Sequence, residues 1–298
     1  MKDSGIFDKI SLISWSCTEN KENPMQPLPY QPIQYTRYAN HRHENAAGGI
    51  ITEASVDMTV NGQPWISFAC TPSLLEELAA GFLFNEGIIQ SPDEIEILRP
   101  CDNGSNIDVW LNHAVKKPTQ WRRTSGCTGG MTTVTARERI QPLATDDPIA
   151  INDVLSWMEH LLEGQELYRE VRGVHSSLLT DGSQVLAQAE DIGRHNTLDK
   201  IAGLVLLNRI HGGRRMIVTT GRVSSEMLQK SARIGASILV SRTSPTSMSM
   251  ELAEEYGITL IGYARRNQCN VYTHPERLIL VDRQSEQPLH LVYPLAAD

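Results

Sequence analysis

The sharpest chemical feature of the chain is a cysteine set among glycines, in Arg122-Arg123-Thr124-Ser125-Gly126-Cys127-Thr128-Gly129-Gly130. Three glycines within five residues suit the interior of neither a helix nor a strand, so the segment reads as a loop. With no bulky neighbours, the Cys127 sulfur is open to a substrate or a partner chain. Arg122 and Arg123 favour the thiolate, which is the nucleophilic form. The ordinary alternative is a small residue tolerated in a glycine-rich turn. Of the other cysteines, Cys17 falls in a tail, and Cys70 and Cys269 fall at strand ends.

A second kind of chemistry is written into three successive strand-to-helix turns: Glu190-Asp191-Ile192-Gly193-Arg194-His195-Asn196, Thr219-Thr220-Gly221-Arg222-Val223-Ser224-Ser225, and Ser241-Arg242-Thr243-Ser244-Pro245-Thr246-Ser247. Each combines hydroxyls or glycine with an arginine at a helix start. Free N–H groups and the helix dipole attract anions there, and arginine adds a bidentate phosphate donor. One such turn is ordinary helix capping. Three in one layer point to a phosphorylated ligand on the rim, with Arg194, His195 and Arg222 as candidate ligands. Asp191, Arg194 and His195 gather polar groups at one strand end; the ordinary alternative is that Asp191 pairs with Arg194 and merely shapes the first turn, and both could hold.

Metal chemistry is not supported. His274-Pro275-Glu276 supplies a His-x-Glu, but a zinc deaminase needs it upstream of Pro-Cys-x-x-Cys. Here Pro100-Cys101 precedes it and the second cysteine is missing. No Walker motif or Gly-x-Gly-x-x-Gly is present to mark another nucleotide-processing enzyme.

The elements that must position these groups fall into three stretches. Residues 1–30 read as a poorly ordered tail, ending in the proline-rich Asn23-Pro24-Met25-Gln26-Pro27-Leu28-Pro29. Residues 31–125 read as a smaller β-rich subdomain with one helix. Ala54–Val60 alternates in polarity, Asn61-Gly62 is a hairpin turn, and Trp65–Phe68 resumes beyond it. The helix carries Leu74, Leu75, Leu78, Phe82 and Leu83 on one face, with Thr71 or Ser73 as cap. Residues 126–298 read as an α/β domain containing the loop cysteine. It opens with a helix over 151–169 capped by Asn152 or Asp153. Strands at 185–189, 216–219, 237–240 and 258–261 then alternate with helices at 194–209, 224–234 and 246–256. This spacing predicts a mixed, mostly parallel sheet with flanking helices.

Composition narrows the function further. The 298 residues are 40% hydrophobic and 21% charged, with a net charge of -8, which argues against sequence-independent binding of a nucleic acid polymer. The basic pairs Arg122-Arg123, Arg214-Arg215 and Arg265-Arg266 could still serve a small anion. Five widely spaced cysteines do not form a secreted disulfide scaffold, and no stretch reaches the length of a membrane span. A cytoplasmic location is expected.

Four further stretches carry a family resemblance: Cys70-Thr71-Pro72 with Leu75-Glu76-Glu77-Leu78 and Gly81-Phe82-Leu83; the Glu190–Asn196 turn with Leu198-Asp199-Lys200; Gly221-Arg222 with Glu226-Met227; and Asn270-Val271-Tyr272-Thr273-His274-Pro275-Glu276-Arg277. Over residues 30–295 the chain resembles the FdhD-type accessory sulfurtransferases of formate dehydrogenase. The resemblance implies a cytidine-deaminase-like core without a metal and a homodimer. It also implies a bound cargo, the molybdenum cofactor Mo-bis(molybdopterin guanine dinucleotide). Sulfur would come from a cysteine desulfurase, form a persulfide on Cys127, and pass to the cofactor for the formate dehydrogenase apoenzyme. The family's cofactor-binding stretch falls at Tyr263, Ala264, Arg265, Arg266, Asn267 and Gln268, and His175 in Gly173-Val174-His175 is a further pocket candidate, with a hydrogen-bonded core histidine as the alternative. One departure stands out. The family's Cys-x-x-Cys is reduced here to Cys127 and Gly130, so no internal disulfide can form at this site.

Overall fold

A computed structural model describes residues 27–118, 121–123, 131–133, 143 and 147–280. The Cys127 loop and most of the expected tail lie outside the described residues. The chain begins with an antiparallel hairpin, β1 (Tyr30–Ala39) and β2 (Arg42–Ile51). Next come β3 (Ala54–Val60), β4 (Gln63–Cys70), helix α1 (Leu75–Asn85), β5 (Ile95–Cys101) and β6 (Asn106–Leu111). The short strands β7 (Trp121–Arg123), β8 (Met131–Thr133) and β9 (Ile149–Ala150) lead to helices α2 (Ile151–Glu163) and α3 (Glu166–Val171). The second half runs β10 (His175–Thr180), β11 (Val185–Asp191), α4 (Arg194–Leu207), β12 (Met216–Thr219), α5 (Ser225–Ile234), β13 (Ile238–Ser241), α6 (Ser247–Tyr256), β14 (Thr259–Arg265), β15 (Gln268–Val271) and β16 (Leu278–Ile279).

The first half builds a four-stranded sheet in the order β4-β3-β6-β5. Its β3–β4 hairpin turns at Asn61 and Gly62, both left-handed at φ 49° and 74°, as a two-residue turn between twisted strands requires. α1 covers the sheet over a core of Val56, Met58, Ile107, Val109, Leu78 and Phe82. The expected cap is absent. Leu74 precedes the helix in a left-handed conformation and no side chain caps it, because Thr71 is committed elsewhere.

The second half builds a six-stranded sheet in the order β11-β10-β12-β13-β14-β15. It is mixed rather than mostly parallel: only β12–β13 and β13–β14 pair in parallel. Strand β10 escapes a periodicity reading because both its faces are buried, so His175-Ser176-Ser177-Leu178-Leu179-Thr180 does not alternate. By running antiparallel to both β11 and β12, it leaves β11, β12, β13 and β14 pointing the same way. Alternate residues feed opposite layers. Met216, Val218, Ile238 and Val240 pack against α2, while Ile217, Leu239 and Leu260 pack against α4, α5 and α6.

The helix expected over 151–169 is two, broken at Gly164-Gln165. Neither Asn152 nor Asp153 caps it; Ala150 holds that position. Helix α4 is buried nearly all round, because α1 packs on the side that the sheet does not cover. No helix among the described residues is long and apolar enough to cross a membrane.

Candidate functional site

Because β11, β12, β13 and β14 run in one direction, the turns after them share one edge of the sheet, where ligands of open α/β sheets bind. The N-terminus of antiparallel β10 reaches the same edge, with His175 directly opposite Asp191. Backbone hydrogen bonds zip the turns together. Thr220 N donates to the Ser176 carbonyl, Arg242 N to Thr219, Val223 N to Ser244, and Tyr263 N to Thr243, all at 2.9–3.2 Å. Buried hydroxyls complete the lacing, with Ser241 Oγ donating to the Gly221 carbonyl at 2.7 Å and Gly221 N donating to Thr219 Oγ1 at 3.1 Å.

Gly221 is needed for close approach. A Cβ there would lie 2.8 Å from the Arg194 Cβ, so the second turn passes directly over the stem of Arg194. Arg194 is largely buried, whereas Arg222 is exposed. Both charges bear on half-buried His175. Burial foremost, then Arg194, lowers its pKa; Asp191 opposes this and Arg222 adds to it. His175, Arg194 and Arg222 therefore share one edge of the sheet, close enough for both charges to act on the imidazole.

His195 sits beside them, 5% exposed. Its Nε2 is 3.3 Å from Ser224 Oγ and 3.7 Å from Glu226 Oε2. Burial pushes the imidazole down to about 4 although Glu226 pulls the other way; desolvation wins because so little of the ring reaches water. Glu226 is held at about 2, chiefly by the neighbouring His195 and against its own burial, with Ser224 Oγ donating to it at 2.8 Å. Ser224 also caps α5, accepting from Met227 N.

Asp191 does not pair with Arg194. Its carboxylate is wholly buried against Lys200, with Nζ 2.6 Å from Oδ2. Lys200 sits two turns into α4 and can reach back along the helix axis, while Arg194 at the helix start points to the rim side under Gly221. Glu190 is likewise structural. It accepts from Leu167 N and Tyr168 N in the first turn of α3 and from Ser176 Oγ. Thr71, Lys200 and Glu226 are residues whose roles a reading of local pattern misses, since their partners lie far away in sequence or behind a cap.

The stretch Tyr263–Gln268 is the end of the β14–β15 hairpin, and it splits by role. Tyr263 is exposed in a left-handed conformation at φ 53°, beside the third turn. Ala264 is core. Arg265 braces the hairpin by donating to the Arg242 and Ala264 carbonyls. Arg266 faces α2, 3.3 Å from Glu159, Arg266 and Asn267 form the turn, and Gln268 opens β15. The pair Arg214-Arg215 is spent on carbonyls of Asp147, Ile210 and Ile234. The other candidate, Cys127, lies outside the described residues.

Comparison with known proteins gives a consistent answer. Residues 51–279 match the model of the FdhD/NarQ family. A sulfur carrier protein FdhD of Bacillus subtilis (strain 168) is 34% identical over 81% of this chain and 95% of its own length. Its namesake in Staphylococcus aureus (strain MRSA252) is 31% identical over 84% of this chain and 96% of its own. The crystal structure of a candidate formate dehydrogenase accessory protein from Desulfotalea psychrophila superposes with a TM-score of 0.69 at 29% identity, covering 85% of this chain and all of that one. The chain belongs to the FdhD/NarQ family.

Proposed function

We propose that this chain is a sulfur carrier that takes sulfane sulfur from a cysteine desulfurase onto Cys127 and passes it to a guanylated molybdenum cofactor destined for a formate dehydrogenase apoenzyme. The observation that carries the reading is the convergence of His175, Arg194 and Arg222 on one sheet edge, in a chain whose relatives are named sulfur carriers. Two guanidinium groups beside helix starts suit the pyrophosphate of the cargo's nucleotide. His195, Tyr263 and the hairpin through Gln268 would border the same seat. We read the core as cytidine-deaminase-like, carrying 31–125 as a β-rich subdomain and working as a cytoplasmic homodimer without a metal of its own.

The transfer balances without an internal disulfide. The Cys127 thiolate attacks the outer sulfur of the donor persulfide, the donor S–S bond breaks, and the donor cysteine leaves as thiolate. No net oxidation occurs in that step. Releasing the carried sulfur as sulfide then consumes two electrons. Gly130 stands where the resemblance would place a second cysteine, so those electrons come from an external thiol, whose attack on the inner sulfur leaves a mixed disulfide.

Incubation with desulfurase and cysteine, followed by mass spectrometry, should add one sulfur atom to the Cys127 peptide of the wild type and none in Cys127→Ala. An unmodified Cys127, with Cys127→Ala still supporting formate dehydrogenase in cells, overturns the reading. That same Gly130 favours a second reading, a chaperone that holds the cofactor without carrying sulfur, and this outcome would establish it.

A further inference from the structure

We infer that the N-terminal sheet holds the anion-binding edge in shape through Thr71, making Thr71 and Asp191 positioning residues for Arg194 and His195. The inference rests on the reading of that edge as the seat of the cargo's guanine nucleotide.

Thr71 follows β4 and is fully buried. Three of its polar groups are bonded to the segment that launches α4. Its N donates to Asp191 Oδ2 at 3.1 Å, its Oγ1 accepts from Ile192 N at 3.2 Å, and its carbonyl accepts from Lys200 Nζ at 3.1 Å. Asp191 closes the network, accepting also from Lys200 Nζ at 2.6 Å and from Gly193 N and Asn196 Nδ2 at 2.8 Å each. Asn196 ties back to the Ala69 carbonyl at 2.9 Å.

Stability alone does not account for such a cluster. Two charges without solvent contact are costly to desolvate, and apolar residues of like volume hold a fold as well or better. Its effect is geometric. The Ile192 N–H is held by Thr71, just after β4, and the Gly193 N–H by the Asp191 carboxylate, while Gly221 packs against the stem of the next residue, Arg194. Held at both ends, Arg194 keeps its stem under Gly221, on the sheet edge where His175 lies opposite Asp191.

The test uses the full chain, with GDP as the probe and calorimetry below the melting point of every variant. Thr71→Val keeps the shape and removes the Oγ1 acceptor; it should weaken GDP about tenfold, whereas Thr71→Ser, which retains the oxygen, should bind like the wild type. The Arg194 Nε–H resonance of the free protein should move in Thr71→Val and not in Thr71→Ser. If Thr71→Val folds poorly, the neutral pair Asp191→Asn with Lys200→Met gives the same two readouts. Equal GDP affinity and an unmoved Arg194 resonance in these variants overturn the inference. A wild type that fails to bind GDP, while the Arg194 resonance still moves, overturns the reading of the seat and leaves the positioning role standing.

Discussion

Gly81 of α1 meets Asp199 of α4 backbone to backbone: a Cβ on Gly81 would lie 1.8 Å from the Asp199 carbonyl oxygen. The contact is reciprocal, since a Cβ on Gly203 would lie 1.9 Å from the Glu77 carbonyl oxygen. This crossing joins the helix of the first sheet to the helix that begins at the sheet edge proposed to bind the anion. Neither backbone can yield without moving its whole helix. Gly81→Ala is therefore expected to cost about 3 kcal/mol of unfolding free energy, despite alanine's better helix propensity. A urea midpoint unchanged from the wild type would contradict the close crossing.

Beneath that crossing lies a buried ion pair, Asp199 with Lys230 of α5, at 2.6 Å, and Asn85 Nδ2 donates to the same carboxylate at 2.8 Å. Removing one partner strands the other charge. Lys230→Met should destabilise the fold by about 3–5 kcal/mol, and adding Asp199→Asn should recover most of the loss. A double-mutant cycle in denaturant would measure the coupling; additive losses would argue against a working pair.

Acid should weaken the fold through His195. Its pKa lies near 4 in the folded chain and at the ordinary 6.5 unfolded, so between these values the unfolded state binds more protons. The corresponding stability is present above pH 6.5 and is lost as pH falls towards 4, by up to about 3 kcal/mol. Glu226, lowered to about 2, adds a further loss in the same direction below its ordinary 4.5. Urea midpoints at pH 7 and pH 4.5 should differ less in His195→Gln than in the wild type.

At the edge itself, exposed Arg222 offers the cleanest separation of binding from folding. Arg222→Ala should weaken GDP about tenfold while shifting unfolding free energy by less than about 0.5 kcal/mol. Binding that survives the change would exclude Arg222 from the seat.

Two of the four other cysteines, Cys70 and Cys269, can be tested as stand-ins for the missing partner of Cys127. Burial, reinforced by Asp191, pushes Cys70 up to about 12, and burial raises Cys269 as well. Both should stay unmodified in brief alkylation at neutral pH, read by peptide mapping, because the thiolate is the reacting form. Rapid labelling of either would reopen it as a sulfur acceptor.

Local pattern carried much of this fold. The Asn61-Gly62 turn, the strand at Met216–Thr219 and the helices starting at Ser225 and Ser247 are legible because turn chemistry, capping hydroxyls and apolar periodicity act over a few residues. The same rules fail at β10 and at the start of α1. Burial on both faces erases alternation in the one, and a distant partner claims the capping threonine in the other.

The sequence by itself determined the repertoire of this protein: a cysteine among glycines, three hydroxyl- and arginine-bearing helix starts, and motifs shared with the FdhD/NarQ family. Only the tertiary structure decided how those charges are spent. Asp191 went to Lys200 and Arg265 to backbone carbonyls, while His175, Arg194 and Arg222 came to lie on one sheet edge. The physical reason is that a charge's partner is set by which strands lie side by side and which helices cross. Some of those contacts join residues more than a hundred positions apart, as Thr71 to Ile192 does, beyond the reach of any local period.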